Sequence, residues 1–310
     1  MRLAPGSTIG IIGGGQLGRM MAIAAARIGY RCHIFDPHEA PCAAEVSGAF
    51  TRAAFDDEAA LAAFAAACDV VTYEFENVPV APLAVVGSKL HPGTRSLEIA
   101  QDRAAEKEFL EGVGARIAPW HRVDTISDAE SAEEKLGTPF VLKTRRLGYD
   151  GKGQAWVREV GRSAAAFEAI GSQPAVAEEG IVFGAEFSVI VARDGSGQTR
   201  SFDPPRNDHR DGILRRSTVP GGELVAAQTE EATALAGRIA TALGHVGVLT
   251  VEFFATAEGP LVNEIAPRVH NSGHWTIEGA LTSQFEQHVR AICGLPLGDP
   301  GLVAATASME

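Results

Sequence analysis

The sequence has only four cysteines, Cys32, Cys42, Cys68 and Cys293, and no two of them stand in C-x-x-C spacing. That argues against a disulfide framework or a thiolate metal knuckle and reads as reduced thiols in or near cores. No sustained apolar stretch precedes the first glycines, which excludes a secretory signal. The longest apolar run, residues 59–68, is too short and too rich in alanine to span a bilayer. Positive charge is also scarce. Lys and Arg number 27 against 39 Asp and Glu, a net charge of −12. Such a field repels phosphate backbones and anionic membranes, so neither nucleic acid nor membrane is an expected partner, and an anionic ligand must be gripped by a local pocket. No internal repeat or low-complexity linker is present. What remains is ordinary globular usage, 45% hydrophobic and 21% charged over 310 residues, the size of two domains. A soluble cytoplasmic protein is expected.

The first hundred residues alternate between strand and helix patterns: strands at 8–12, 31–35 and 69–73, helices at 16–28 and 57–68, and a short helix at 79–86. This predicts a parallel sheet covered by helices on both faces, an α/β domain over residues 1–98. Helix-compatible sequence runs from 94 to 111. The rhythm then changes to α+β over 99–310, with a small unit at about 118–182. Strands are predicted at 139–143, 154–157 and 175–178, and further strands at 185–192, 199–203 and 213–218 in a mostly antiparallel sheet. A long helix is expected over 224–243, a hairpin from 246–254 and 260–265, and a closing helix over 277–293. The segment 302–309 reads as the beginning of a strand that stops, as in a truncated version of a longer chain.

Gly13-Gly-Gly-Gln-Leu-Gly18 lies between a strand and a helix, with Asp36 ending the next strand. This is the dinucleotide fingerprint, glycines for the phosphates and an acid for the ribose. Two other readings stay open: glycines that let a helix pack closely, or amides that bind some other phosphate.

A carboxylate pair carries more weight. A hairpin centred near Glu258 places Glu252 and Glu264 opposite each other on one face. Facing like charges ask for a cation or a shared proton, and oxygen ligands favour Mg²⁺ shared with nucleotide phosphates. Lys143 ends a strand, and Gly148-Tyr149-Asp150-Gly151-Lys152-Gly153-Gln154 follows it. This is a strand–loop–strand unit and not a Walker loop, but its amides and Lys143 can converge on phosphate oxygens. The run Glu178-Glu179-Gly180-Ile181 can offer a peptide edge to adenine, and Glu186 can accept from ribose hydroxyls. Arg268 opens a donor-rich loop that suits an anion better than His270 and His274 suit zinc.

These pieces, in this order, resemble the ATP-grasp superfamily, and within it the 5-(carboxyamino)imidazole ribonucleotide synthases. The resemblance runs over nearly the whole chain: GGGQLGRM, YEFENV, the DR…K helix, GYDGKGQ, N-x-H-x-x-G-I-L, VEFF, NEIAPRVHNSGHWT and QFEQHVRAICGLPLG. It implies a Rossmann-like first domain that binds no NAD, followed by a two-lobed grasp, with a C-terminal segment of the family absent. It also implies contacts to ATP from Arg103, Lys143, the 148–154 loop, residues 178–181, Glu186, His209, Asn263 and Glu264, with Mg²⁺ on Glu252 and Glu264. Aminoimidazole ribonucleotide is expected near Gln16, Leu17, Glu74, Tyr149, Asp150, Lys152, Arg268, His270, Asn271 and Ser272. Bicarbonate is the implied co-substrate, and a homodimer the implied assembly. Carboxylation would pass through carboxyphosphate, the amine capturing it or CO₂ released from it, with Lys143 and Arg268 acting on the reacting groups and either Asp150 or His274 as base. A formate-dependent glycinamide ribonucleotide transformylase and an NAD oxidoreductase are the competing readings.

Overall fold

The computed structural model describes residues 2–148, 152–210 and 212–309. The N-terminal sheet is parallel and runs in the order β3-β2-β1-β4, from β1 (Thr8–Ile12), β2 (Arg31–Asp36), β3 (Ala49–Arg52) and β4 (Val70–Tyr73). Helices Gln16–Arg27 and Glu58–Ala66 connect its strands in Rossmann fashion. Strand β3 was not legible in the sequence: it is a short edge strand without a continuous apolar run. The expected short helix at 79–86 is a 3₁₀ segment, Ala81–Lys89.

A second sheet, antiparallel, has the order β5-β8-β6-β7, built from β5 (Trp120–Val123), β6 (Phe140–Thr144), β7 (Gln154–Val157) and β8 (Ala175–Glu179). Helices Ile126–Leu136 and Ser163–Ala169 cover one face, packing Phe140, Leu142 and Phe167 into a core of their own. The third sheet runs β14-β13-β9-β11-β12-β15, with β10 also on β9. Its strands are β9 (Ala185–Arg193), β10 (Thr199–Ser201), β11 (Arg206–Arg210), β12 (Ile213–Val219), β13 (Gly247–Thr256), β14 (Gly259–Ala266) and β15 (Ala307–Met309).

The period of two along β9 and β13 divides their labour. Phe187, Val189, Val191, Val251 and Phe253 point to the helix Thr229–Ala242. On the other face, Ile190, Ala192 and Val248 pack with Phe285 of the closing helix and Met21 of the N-terminal domain. Farther along that face, Glu186 and Glu252 stand outside the apolar core, and a cavity opens.

Three expected helices are each two. The 94–111 stretch breaks at Asp102, whose carboxylate caps the second helix, Arg103–Gly112, by accepting from the amides of Ala104 and Ala105. The 224–243 stretch divides into Glu223–Ala226 and Thr229–Ala242, and Gln228 at the break donates to Thr256 O. The closing helix divides into Thr276–Gly279 and Gln284–Ile292, the latter capped by Ser283. At Asp102 and Ser283 the break comes from a side chain that captures backbone amides a continuous helix would use itself, whereas Gln228 turns its side chain to a neighbouring strand.

Candidate active site

The hairpin of β13 and β14 pairs Glu252 with Glu264 directly. Its tight turn joins Thr256 to Gly259, and a bulge at Asn263 shifts the register by one residue before Glu264 is reached. Bulges re-aim side chains, and here the extra residue sets both carboxylates on the cavity face. Asn263 Oδ1 is buried without a hydrogen-bond partner. Together these groups make an all-oxygen donor set suited to a hard cation.

The cavity has a volume of about 630 Å³ and lies between the two antiparallel sheets. Its polar wall gathers Arg103, Lys143, Glu178, Glu252, Glu264 and Arg268. Arg103 Nη1 donates to Glu264 Oε2 at 2.8 Å. Loss of solvent raises the Glu264 pKa, but Arg103, Lys143 and His270 outweigh it and hold the carboxyl at about 2. Glu178 is only 3% exposed. Its Oε2 accepts from Lys143 Nζ at 3.0 Å and pairs with Lys107 Nζ at 3.2 Å. Burial again opposes the charge, and Lys143, Lys107 and Arg103 bring it to about 2. Lys143 is thus parked on a carboxylate at the cavity wall, ready to be shared with an incoming phosphate.

Several expected residues sit around this wall. Gly148, Lys152, Gly153 and Gln154 line it, while Tyr149, Asp150 and Gly151 lie outside the described residues. Gly153 has φ +70, and a Cβ there would come within 2.5 Å of Thr144 Oγ1, so the returning arm of the loop needs glycine. Glu179, Ile181 and Glu186 also line the cavity. Gly180 does not; its amide donates to Pro139 O and is therefore not free for a base. Phe183 and Phe254 stack at 4.5 Å between centroids on the apolar side. His209 Nδ1 lies against Glu186 Oε2; burial lowers its pKa, but this carboxylate, with Glu252 and Glu264, raises it on balance.

His270 Nε2 meets Glu252 Oε1 at 3.0 Å, and its Nδ1 accepts from the Ser272 amide. Ser272 is fully buried, bonded through Oγ to Ser188 and His270, so it steadies His270 and does not face the cavity. Asn271 lines the cavity and accepts from Gln16 Nε2 at 3.4 Å. Leu17 packs in the N-terminal core. His274 is not in the lining: its ring lies 5.8 Å from that of Phe285, and burial, then His270, lowers its pKa to about 4.

The glycine run carries an unexpected occupant. Glu74, at the end of β4, accepts from the amides of Gly15 and Gly18, the latter at 2.5 Å. Asp36 Oδ2 accepts from Gly14 N at 2.8 Å. A Cβ on Gly13 would come within 2.5 Å of Glu74 Cγ, and one on Gly15 within 2.7 Å of its Oε1. The glycines admit a carboxylate of the same chain where a dinucleotide places its pyrophosphate, and the acid expected on a ribose is spent on the loop itself. This is the physical reason the fingerprint does not mean NAD.

Sequence reasoning missed Glu76, Asp102, Glu106 and Lys107. Asp102 accepts from Arg145 at 3.0 and 2.6 Å, tying the helix start to the stem of the glycine loop. Glu106 is 2% exposed; burial, then Glu264, pushes its carboxyl up to about 8. The signal for Glu106 and Lys107 was their helical i+3, i+4 spacing from Arg103, and for Glu76 the acids of YEFEN, while Asp102 stood as a capping acid before that helix; only contacts from distant strands make these meaningful.

Comparison with known proteins identifies the family. An ATP-grasp domain model matches residues 108–285, and a ribonucleotide synthetase preATP-grasp domain model matches residues 6–101. The chain is 52% identical over 304 residues to the N5-carboxyaminoimidazole ribonucleotide synthase of Brucella melitensis, covering 96% of this chain and 83% of that one. The Thermus thermophilus N5-carboxyaminoimidazole ribonucleotide synthetase superposes with a TM-score of 0.91 at 43% identity, over 97% of this chain and 82% of the other. The Aspergillus clavatus N5-carboxyaminoimidazole synthase, in complex with ADP and 5-aminoimidazole ribonucleotide, gives 0.86 at 30% identity over 94% and 78%. Among the described residues no helix is long and apolar enough to cross a membrane. With its paired carboxylates, its lysine-bearing small sheet and these relatives, the chain belongs to the N5-carboxyaminoimidazole ribonucleotide synthases, a family of ATP-grasp ligases.

Proposed function

We propose that the chain carboxylates the exocyclic amine of 5-aminoimidazole ribonucleotide, consuming ATP and bicarbonate and releasing ADP and phosphate, in purine biosynthesis. The observation that carries this reading is the direct pairing of Glu252 with Glu264 at the cavity that Lys143 also enters.

ATP lies with its base against Phe254 and Ile181 and its phosphates between Lys143, Arg103 and the arms of the glycine loop. Glu252 and Glu264, paired across the hairpin, and the unpartnered Asn263 Oδ1 would hold Mg²⁺. Two carboxylates and one amide oxygen leave coordination positions that nucleotide phosphates would fill. When bound, the ion offsets phosphate charge during transfer.

A bicarbonate oxygen attacks the γ-phosphorus, and the bond to ADP breaks. Lys143 and Arg103 accept the charge that moves onto the phosphoryl oxygens, a task of positioning and electrostatics. The amine nitrogen then attacks the carboxyl carbon of carboxyphosphate, phosphate leaves, and the amine proton passes to a base. Arg268, with further N–H bonds to give, faces the same cavity and holds the anion. The small antiparallel sheet closes over the cleft and excludes water, which would hydrolyse the intermediate.

Phosphate release tests this, with bicarbonate and ribonucleotide each omitted in turn and formate offered in place of bicarbonate. Release that needs both substrates and ignores formate is expected. Release supported by formate and glycinamide ribonucleotide would point to the transformylase instead.

A further inference from the structure

Strand β14 is the edge of the large sheet beyond β13, and an edge strand presents unpaired backbone groups on its outer side. The helix Arg103–Gly112 runs beside that edge and meets it with three side chains on one helical face. Arg103 takes the carboxylate of Glu264. Glu106 Oε1 accepts the backbone N–H of Ile265 at 2.7 Å. Lys107 Nζ donates to the carbonyl of Asn263 at 3.5 Å. Glu106 and Lys107 are 2% and 1% exposed. The segment they grip, residues 263–265, contains the bulge that brings Glu264 opposite Glu252. A leucine at position 106 would fill the space without the cost of burying a carboxyl beside Glu264, but it would leave the Ile265 N–H unpaired.

We propose that Glu106 is a positioning residue for metal binding: its carboxyl replaces a missing neighbouring strand, pins the Ile265 amide, and so holds the bulged Asn263–Glu264 segment in the conformation that faces Glu252. The inference rests on the reading that Glu252 and Glu264 hold the divalent ion. Only an acceptor at this point is required, because the contact is made to a backbone N–H.

The test uses Mn²⁺ as the probe, with free Mn²⁺ followed by electron paramagnetic resonance while the full chain is titrated in the presence of ADP. Calorimetry gives the affinity for metal-free ADP. Glu106→Gln keeps an acceptor, and its Mn²⁺·ADP affinity is expected within about threefold of wild type. Glu106→Leu fills the volume without one, and Glu106→Asp withdraws the acceptor by one methylene. Both should weaken Mn²⁺·ADP by more than about tenfold, as expected when a buried N–H loses its partner, and leave metal-free ADP unchanged. Should the leucine variant not fold, the contrast between Asp and Gln decides. Wild-type Mn²⁺·ADP affinity in a folded Leu or Asp variant overturns the proposal, and so does a Gln variant as impaired as they are. If the wild-type chain itself binds ADP no better with Mn²⁺ than without, the metal reading of Glu252 and Glu264 fails first and takes this one with it.

Discussion

Arg268, in the loop that leaves β14, grips both carboxylate oxygens of Glu76 in the N-terminal domain. Nη2 donates to Oε1 at 3.0 Å, Nε to Oε2, and Nη1 to Val269 O at 3.0 Å. Burial works against both charges, yet each holds the other ionised: Glu76 is lowered and Arg268 raised. A planar fork is thus fixed at the cavity wall by a residue more than half the chain away, and a lysine could not reproduce it.

Glu76→Gln removes the charge that neutralises Arg268 and one of its acceptors. The expected cost is about 2 kcal/mol in urea denaturation, as for loss of a hydrogen bond between charged groups at a part-buried site, with turnover reduced at least about tenfold because the arginine is no longer held. Unchanged phosphate release in a folded Glu76→Gln protein would contradict the assignment.

Lys143→Ala should weaken ATP more than the ribonucleotide. Glu178 keeps Lys107 as a partner at 3.2 Å, so the fold is expected to survive, while the phosphates lose a point charge. ATP affinity should fall by about tenfold or more, as for loss of a hydrogen bond to a charged group. Equilibrium titrations with each ligand give the ranking, and the reverse order would mean that the two subsites are exchanged.

Glu74→Ala leaves the amides of Gly15 and Gly18 without their carboxylate. Each unpaired N–H costs about 1–3 kcal/mol where water cannot replace the partner. A clear fall in the urea midpoint is expected, larger than for the exposed cap Asp57→Ala on the neighbouring helix. Equal losses would show that water readily fills the glycine loop.

Two buried histidines clasp the domains together. His288 Nδ1 accepts the Val248 N–H at 3.1 Å, so its proton sits on Nε2, facing Thr72 Oγ1 at 2.8 Å. His245 Nε2 donates to Val248 O at 2.9 Å, so its Nδ1 accepts from Ser96. Both are neutral; burial is the main cause, and it brings His245 to about 4 and His288 to about 3. Unfolded histidines titrate near about 6.5, so the native state binds fewer protons below that pH. Their stabilisation is complete above about 6.5 and is lost as pH falls toward the folded values, about 1.4 kcal/mol per pH unit for each histidine. Glu106, raised to about 8, works in the opposite sense and loses stability as pH rises toward 8. Urea denaturation at pH 7 and pH 5 should show lower stability at pH 5, with a flatter slope in His288→Asn. A His288→Asn protein whose stability changes between pH 7 and pH 5 as much as wild type would refute the neutral clasp.

The hairpin shows how far local pattern reaches. Two apolar runs around a glycine turn, each carrying one acid, are enough to predict a hairpin that brings Glu252 and Glu264 close together, but the observed turn alone would set Glu252 opposite Asn263. The alternation of strand and helix over the first domain was legible for the same reason, since periodicity records burial along a single element. The bulge at Asn263 was not, although the pairing depends on it.

The tertiary structure alone decided which groups meet across long stretches of chain. Nothing local tells that the amides of Gly15 and Gly18 receive Glu74 in place of a phosphate, or that Glu106 serves a strand that begins at Gly259. A carboxylate can satisfy a phosphate site as well as a phosphate can, and a helix side chain can complete a sheet edge. The sequence determined which elements form and which carry charge; packing determined what each charge is paired with, because partners in a folded chain are chosen by distance in space.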